Sequence, residues 1–211
     1  MSRDRYGLKG RAKVIPNGYD PRLLNLAPEE SDYLLFLGRL HIDQKGLDIL
    51  SKALRCSGSR LVIAGAGKDE AKTRTLFRDA VETGRAEFVG FVNGGRKADL
   101  LRTCLFMVAP SRYEGQPLTM IEAAACGKPV IVSDIPELAY TVAAGFGLSC
   151  RRGDARDLAE KIDLLLQNRS LRQDMGAKAR EYARSFTWDN VAADYEAYLT
   201  EAAKKSGRPL S

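Results

Sequence analysis

The sequence predicts an α/β fold, in which a doubly wound parallel sheet of about six strands is followed by a helical C-terminal extension. Short aliphatic runs alternate along the chain with longer segments of helical period. The aliphatic runs are almost continuously hydrophobic, whereas a strand with one solvated face would alternate. Both observations are typical of a parallel sheet that is covered by helices on each side.

The predicted strands are these aliphatic runs, at residues 34–37, 61–64, 87–89, 105–109, 130–132 and 148–150. The helical period and the end signals place crossover helices at residues 46–55, 69–83, 95–103, 117–126 and 136–144. After Cys150 the pattern is helical throughout, with Asp154 as the predicted cap of the first segment. The elements form a Rossmann-like domain over residues 14–203, between a linker or the end of a preceding domain (1–13) and a disordered tail (204–211).

Composition narrows the classes of partner. The chain has 211 residues, of which 33 are Lys or Arg and 27 are Asp or Glu, so the formal net charge is +6. This balance suits nucleic acid, an anionic membrane surface or a phosphorylated small molecule. The basic residues are scattered among acids and form no run of five, which disfavours nucleic acid as the main partner.

Apolar patterning and cysteine spacing bear on compartment and metal binding. No apolar run approaches the roughly 18 residues of a transmembrane helix, and the first residues lack the apolar core of a signal peptide. We therefore expect a cytoplasmic protein, with peripheral contact to the inner face of a membrane left open. The four cysteines have neither C-x-x-C spacing nor a histidine cluster beside them, so the sequence predicts buried thiols without a metal site or disulfide framework.

The loop after the first strand carries two cations before a helix. Gly38 and Gly46 bound this loop, and Arg39 and Lys45 lie within it. A guanidinium forks onto two phosphate oxygens, an ammonium adds a point charge, and free N–H groups at a helix start attract an anion, so the loop fits a diphosphate. The alternative from spacing alone is that both cations are solvated surface charges. His41, the sole histidine, is assigned no catalytic role.

The loop after the second strand imitates a dinucleotide-binding turn. Gly65-Ala66-Gly67 begins as that motif does, but Glu70 occupies the position of its third glycine. Gly67-Lys68 is not followed by Ser or Thr, as a Walker P-loop would require. We therefore interpret the segment as a Gly-rich strand-to-helix turn that can approach a phosphate or sugar closely.

The loop and helix after the fourth strand contain two spaced carboxylates. Pro117 suits the first helical turn and Gly127 suits the residue after the helix. Glu114 then lies in the loop, and Glu122 lies more than one turn inside the helix, so the two carboxylates can flank one ligand. The simpler interpretation is an acid that favours the positive end of the helix and a second acid exposed on its surface.

This segment resembles the E-x7-E signature of retaining GT-B glycosyltransferases, particularly those of family four. Glu114 and Glu122 stand within Pro-Ser-x-x-Glu-Gly-x-Pro-Leu-x-x-x-Glu-Ala-x-Ala-Cys-Gly-x-Pro-Val. The resemblance extends over nearly the whole chain and includes the leading segment (14–20), the base-side strand end (88–91) and the closing helices (175–188). It implies the C-terminal, donor-binding half of a GT-B fold.

Carried over residue by residue, the resemblance implies a site for a nucleoside-diphosphate sugar of UDP or GDP type, with no separate cofactor and no metal. Arg39 and Lys45, in the loop that starts at Gly38, would bind the diphosphate. Glu122 would bind the ribose hydroxyls and Glu114 the hydroxyls of the transferred sugar. The predicted catalytic residues are Arg39, Lys45 and Glu114. Further contacts to the donor would come from Gly115, Gln116, Pro117, Leu118 and Thr119 at the helix start and from Val89, Gly90 and Phe91 around the base.

The resemblance also implies an activity and a partner. It predicts transfer of a hexosyl-type sugar to an acceptor with retention of anomeric configuration, in polysaccharide or glycolipid biosynthesis. Family members normally carry a first domain that binds the acceptor, and this chain has no counterpart of it. We therefore expect the chain alone to be inactive and its partner to be an acceptor-binding domain or subunit. Three explanations stay open: half of a longer enzyme, a naturally split enzyme, and a truncated remnant.

Departures from the family pattern leave two other functions to test. Gln116-Pro117 replaces a commoner Phe-Gly, and residues 133–137 lack a frequent Gly-Gly pair, so the sugar subsite is less well defined than the phosphate subsite. One alternative is a non-catalytic module that binds a nucleotide sugar without turnover. The other is a basic module for nucleic acid, which predicts steep salt dependence without nucleotide competition. The last helix, with Trp188, Tyr195, Tyr198 and Leu199, is predicted to expose an apolar stripe.

Overall fold

A computed structural model describes residues 13–206 and contains one parallel sheet. Its strands are β1 Tyr33–Leu37, β2 Arg60–Ala64, β3 Ala86–Gly90, β4 Met107–Ala109, β5 Val130–Ser133 and β6 Gly147–Cys150. They lie in the order β3-β2-β1-β4-β5-β6, and each neighbouring pair is parallel. The predicted Rossmann-like α/β class is therefore confirmed, and each predicted aliphatic run overlaps one of the six strands.

Helices cover both faces of the sheet. They are α1 Ile42–Lys45, α2 Leu47–Cys56, α3 Glu70–Leu76, α4 Arg78–Glu82, α5 Gly94–Thr103, α6 Leu118–Ala125, α7 Ala139–Ala143, α8 Ala155–Gln167, α9 Arg169–Ala183 and α10 Trp188–Ser206. Short 3-10 turns occur at Pro21–Asn25, Pro136–Leu138 and Arg184–Phe186.

Strand β1 illustrates why its run of residues is continuously apolar. Leu34 and Phe36 belong to a core layer with the buried side chains of α2 and α8. Leu35, between them in sequence, belongs to the opposite layer with α6 and α9. Because successive side chains point to opposite faces and both faces are covered by helices, every position favours an aliphatic or aromatic residue.

The order of the strands determines where a ligand can bind. The chain moves outward from β1 through β2 to β3 and then crosses to β4 on the other side of β1. Ligands of open parallel sheets bind at the carboxyl ends of the strands, near the point where the order reverses. The loops after β1, β2, β3 and β4 all leave this edge of the sheet.

Several helix boundaries differ from prediction. The single helix predicted at residues 69–83 is two helices joined at Phe77, whose buried ring makes an edge-to-face contact with Phe88. The helix predicted from residue 117 begins at Leu118, because Pro117 has extended backbone (ψ 112°) and caps it. Residues 136–144 are a 3-10 turn followed by α7, and the short α1 was not predicted.

The C-terminal helices confirm the predicted extension. The carboxylate of Asp154 accepts hydrogen bonds from the backbone N–H groups of Arg156 and Asp157 in the first turn of α8, as the sequence predicted for its cap. Helix α10 continues to Ser206, which is three residues into the predicted tail. The rest of that tail (207–211) and residues 1–12 of the predicted linker lie outside the described residues.

The segment before β1 contacts the start of the last helix. The backbone N–H of Tyr19 donates to the carbonyl of Phe186 at 3.1 Å, and the indole of Trp188 lies directly against Gly18. The ammonium of Lys13 contacts the carboxylate of Asp194 at 2.7 Å. None of the helices between residues 13 and 206 combines the length and apolar character that a membrane span requires.

Candidate functional site

A cleft lies at the carboxyl ends of β1, β2 and β3, beside the start of α6, and we call it the carboxyl-edge cleft. Its volume is about 340 Å³. It brings together residues from four loops that are far apart in sequence. The lining residues are Leu37, Gly38, Arg39, Ala64, Gly65, Ala66, Phe91, Val92, Asn93, Lys97, Leu118, Thr119 and Glu122.

The loop after β1 carries the two predicted cations. Arg39 is exposed and lines the cleft, whereas Lys45 ends the short α1 and extends its side chain beside Gly38. Nδ1 of His41 accepts a hydrogen bond from the N–H of Gln44, so this histidine caps α1. Gly46 then turns the chain into α2 with φ 64°, in the left-handed region that favours glycine.

Lys45 and Glu114 form an ion pair across two loops. Nζ of Lys45 lies 2.6 Å from Oε1 of Glu114, and the side chains are only 13% and 6% exposed. The hydroxyl of Ser111 donates to the same carboxylate oxygen at 2.6 Å. Buried charges require such partners, so each residue holds the other at the site. The pair uses one of the three N–H groups of the ammonium.

Arg112 ties the α1–α2 corner to the loop after β4. Its guanidinium forks onto the carboxylate of Asp48 at 2.9 and 2.7 Å, and it also donates to the carbonyl of Asp43 at 3.0 Å. The backbone N–H of Arg112 donates to the carbonyl of Gln44 at 2.8 Å. These contacts lie on either side of Lys45 in the sequence, so they fix the position of its backbone relative to Glu114.

Glu122 faces the cleft from α6 and is paired with a lysine of α5. Nζ of Lys97 lies 2.5 Å from Oε1 of Glu122, whose side chain is 9% exposed. Both residues line the carboxyl-edge cleft, and their ion pair joins α5 to α6 there. The contact occupies one oxygen of the carboxylate, and the other oxygen can accept a hydrogen bond from a ligand.

The end of β3 places one of three predicted base-binding residues in the cleft. Phe91 lines it and is 72% exposed. The carbonyl of Gly90 accepts a hydrogen bond from the N–H of Gly65, which joins the ends of β2 and β3. Val89 is partly buried against the hydrophobic core. Neither Val89 nor Gly90 lines the cleft.

At the start of α6, only some of the residues predicted to contact the donor line the cleft. Leu118 and Thr119 line the cleft, whereas Gly115, Gln116 and Pro117 do not. Oε1 of Gln116 accepts a hydrogen bond from the N–H of Asn17 at 2.9 Å, so this side chain joins the motif loop to the leading segment.

Three of the four cysteines are buried, as the sequence predicted, and one is not. Cys104, Cys126 and Cys150 are buried, and burial raises the pKa of each thiol to about 12. Cys56 is exposed, so the prediction of buried thiols is wrong for this residue. Between residues 13 and 206 no group of three or more His, Cys, Asp or Glu side chains is placed to hold a metal ion.

Four residues of the site were not predicted from the sequence: Ser111, Asp48, Arg112 and Lys97. Ser111 lies inside the quoted motif, so its position next to Glu114 was an available signal. Lys97 and Arg112 are two of 33 lysines and arginines, and nothing in the sequence around them singles them out. Only the fold places Lys97 beside Glu122 and Arg112 beside Asp48.

Comparison with known proteins identifies the family of this chain. The profile of the family described as glycosyl transferases group 1 matches residues 24–182. The chain belongs to this family. The matched region contains both the loop with Lys45 and the helix with Glu122, and the fold corresponds to that of GT-B glycosyltransferases.

Three members or structures illustrate the similarity to glycosyl transferases of group 1. The phosphatidyl-myo-inositol mannosyltransferase of Mycobacterium leprae is 32% identical over 210 residues, which cover 92% of this chain and 55% of that protein. Sucrose-phosphate synthase from Thermosynechococcus elongatus has a TM-score of 0.80 and 26% identity, over 93% of this chain and 54% of that one. Anabaena Alr3699/HepE, solved in complex with UDP and glucose, has a TM-score of 0.77 and 20% identity, over 90% and 57% of the two chains. At 20% identity, the similarity to HepE shows only that the two chains share a fold.

The chain spans about half the length of the curated relatives it matches. It covers 51% of one relative and 55% of another.

Proposed function

We propose that this chain is the donor-binding domain of a retaining glycosyltransferase and takes a hexosyl-type sugar from a UDP- or GDP-linked donor. The observation that carries the proposal is the convergence of the β1, β3 and β4 loops at one edge of the sheet. Arg39, Phe91 and Glu122 meet around one cleft, with the Lys45–Glu114 pair beside it. Sites of this kind, at the carboxyl edge of a doubly wound sheet, bind nucleotides.

The charges suit the departure of a nucleoside diphosphate. When the bond between the anomeric carbon and the diphosphate oxygen breaks, negative charge grows on the diphosphate. Arg39, Lys45 and the N–H groups at the start of α6 would stabilise that charge, and they are in place before the reaction begins. In the proposed complex the two further N–H groups of Lys45 bind phosphate oxygens while its third keeps Glu114 in position.

The carboxylates have separate parts in the proposed complex. Glu122 accepts hydrogen bonds from the ribose hydroxyls through the oxygen that Lys97 leaves open. Glu114 binds hydroxyls of the transferred sugar, next to the diphosphate. Both carboxylates are paired with a lysine and almost buried, so each is held in one orientation before the donor binds.

Calorimetric titration of the full chain with UDP, GDP, ADP and their sugar conjugates tests the donor site. We expect tight binding of one base. Glu122→Gln should weaken that binding by about tenfold to a hundredfold, the usual effect of losing a hydrogen bond to a charged group. Lys45→Met should weaken it by a similar factor.

Matched controls separate the site from the overall charge. Glu160→Gln on α8 and Lys52→Met on α2 remove the same charges from exposed positions and should leave the affinity unchanged. The donor-site proposal is wrong if wild type binds none of the nucleotides at millimolar concentration, or if both site variants bind as wild type does.

The activity of the whole protein is part of the same proposal. We propose that a separate acceptor-binding domain or subunit completes the enzyme, that it acts in polysaccharide or glycolipid biosynthesis, and that it works in the cytoplasm, with peripheral membrane contact. The mannosyltransferase relative, whose name specifies a phosphatidylinositol lipid, and the net charge of +6 support a link to anionic lipid. The isolated chain should bind donor without turnover, and nuclear magnetic resonance of the product of the completed enzyme would reveal the anomeric configuration.

A further inference from the structure

A second cavity opens at the opposite edge of the sheet, and we call it the amino-edge cavity. It lies beside Leu105, just before β4, and Lys128, just before β5, and extends along α9. Its volume is about 620 Å³, within the range of roughly 300–1,000 Å³ that small-molecule sites occupy. The carboxyl-edge cleft follows the ends of β1, β2 and β3, so the two sites are on opposite edges and share no lining residue.

The lining of the amino-edge cavity is positively charged. It contains four cationic side chains, Lys128, Arg169, Arg172 and Arg180, and two acidic ones, Glu29 and Glu30. The carboxylate of Glu29 contacts Arg102, which is not part of the lining, at 2.6 Å. The carboxylate of Glu30 is engaged by Arg172 through two hydrogen bonds of 2.9 and 3.0 Å.

Two of the cations contact carbonyl oxygens and no carboxylate within the described residues. Arg180 donates to the carbonyls of Leu24, Leu26 and Ala125. Lys128 is only 2% exposed and donates to the carbonyl of Glu29. A carbonyl oxygen satisfies a donor without neutralising its charge, so both positive charges act on the cavity.

Lys128 and Arg169 have donors that a ligand can use. The ammonium of Lys128 carries three N–H groups, of which the carbonyl of Glu29 takes one. Arg169 stands at the rim with its side chain 75% exposed, and its nearest charged contact is Glu30 at 3.5 Å. An ammonium and a guanidinium at one cavity suit an oxyanion with several acceptor oxygens, which is the chemistry of a phosphate group.

We propose that the amino-edge cavity binds a small phosphorylated molecule, whose phosphate is held by Lys128 and Arg169. The remaining volume and the exposed amide of Gln173 accommodate a polar group such as a sugar. Burial lowers the pKa of Lys128, and a bound phosphate would oppose this shift by supplying the missing negative charge. The site is independent of the donor site and of the reaction proposed for it.

Calorimetric titration of the full chain with inorganic phosphate, glucose 6-phosphate and glucose tests this site. We expect binding of the phosphorylated probes and none of glucose. Glucose 6-phosphate should bind more tightly than inorganic phosphate, whereas equal binding would restrict the site to the phosphate group and overturn the assignment of a larger phosphorylated ligand. Arg169→Ala should weaken binding by about tenfold or more, because a charge-assisted contact is lost.

Three further variants make the result decisive. Arg156→Ala removes a 90% exposed arginine of α8 and should bind as wild type does. Arg39→Ala impairs the carboxyl-edge cleft and should also leave phosphate binding unchanged, whereas a loss there would assign the phosphate to the donor site and overturn the proposal. Lys128→Met should abolish binding, and if it does not fold, Arg169→Ala decides. Unchanged affinity in Arg169→Ala, or no binding of either phosphorylated probe by wild type at millimolar concentration, would also overturn it.

Discussion

Arg112 joins the loop after β4 to the α1–α2 corner beside the carboxyl-edge cleft. It forks onto Asp48 and donates to the backbone of the segment that carries Lys45. Desolvation by burial pushes the pKa of the Asp48 carboxyl upward, but the hydrogen bond and positive charge of Arg112 outweigh it, so the pKa lies below its ordinary value of 3.8. The pair is about 70% buried, so solvent screens it less than an exposed pair.

Arg112→Ala should lower the free energy of unfolding by about 1–3 kcal/mol at pH 7. A carboxyl with a depressed pKa in the folded state stabilises above its unfolded pKa, and that contribution is lost as the pH falls through the folded value. The difference in unfolding free energy between wild type and variant should therefore shrink below pH 3.8. The part that remains there is due to the hydrogen bonds from Arg112 to backbone carbonyls, which the variant lacks. Urea unfolding over a pH series measures this.

Arg156→Ala is the control for this experiment, because its i,i+4 pair with Glu160 is largely exposed, with side chains 90% and 61% accessible. Such a pair contributes roughly 0.5 kcal/mol or less, so this variant should match wild type closely. A gap for Arg112→Ala that stays constant at every pH would contradict the part assigned to Asp48.

At the residue scale, the sequence predicted several of the side chains that line the carboxyl-edge cleft but not what those side chains contact. Arg39, Phe91 and Glu122 line the cleft as the family resemblance implied. The pairing of Lys45 with Glu114 links residues 69 positions apart, and nothing in either loop specifies that distance. The contact of Gln116 with Asn17 is equally a product of the fold, since the leading segment reaches the motif only through tertiary structure.

At the scale of elements, the corner between α1 and α2 depends on a glycine. Gly46 has φ 64°, and a Cβ there would lie 2.0 Å from the carbonyl oxygen of Pro110. Any other residue at this position would have to adopt an unfavourable backbone conformation, and its Cβ would collide with the backbone of Pro110. This close approach brings Lys45 to the loop that carries Glu114.

Gly46→Ala should destabilise the fold by about 3 kcal/mol, the sum of roughly 1–2 for the left-handed backbone and 1–3 for overpacking. Gly84→Ala is a matched control, because Gly84 has φ 69° but open space around its Cβ position. It should cost only the backbone part, about 1 kcal/mol. Thermal and urea unfolding compare the two. Equal losses would mean that the contact with Pro110 has no energetic weight.

Strands were easier to predict than helix ends, for a physical reason. A strand buried on both faces must be apolar at each position, so β1, β2 and β5 are visible as continuous runs. The break between α3 and α4 occurs at Phe77 without a glycine or proline to mark it. The buried ring of Phe77 packs against Phe88, and this partner is known only from the fold.

At the scale of the whole molecule, the last helix keeps an apolar stripe of three residues about half exposed. Trp188, Tyr195 and Leu199 are 52%, 50% and 52% exposed, and their spacing of seven and four places them near one face of α10. Contiguous apolar surface of this kind favours association. The helical period predicted these three residues, whereas Tyr198, the fourth predicted member of the stripe, is only partly exposed.

We expect the isolated chain to self-associate through this stripe at high concentration. Tyr195→Ser with Leu199→Ser should raise the monomer fraction in analytical ultracentrifugation over a concentration series. Val81→Ser on α4 removes an exposed apolar residue elsewhere and should have no such effect. Association that is equal in all three proteins would exclude the stripe as its cause.

The contact between Gly18 and Trp188 gives the protein an optical reporter of its own. Trp188 is the single tryptophan of the chain, and its half-exposed indole lies where the leading segment meets the last helix. Tryptophan fluorescence of this protein therefore comes from one indole and reports the hydration of this junction alone. Detachment of α10 from the leading segment should appear as a shift of emission to longer wavelength, separate in time from the loss of helical circular dichroism, and no added label is needed to follow it.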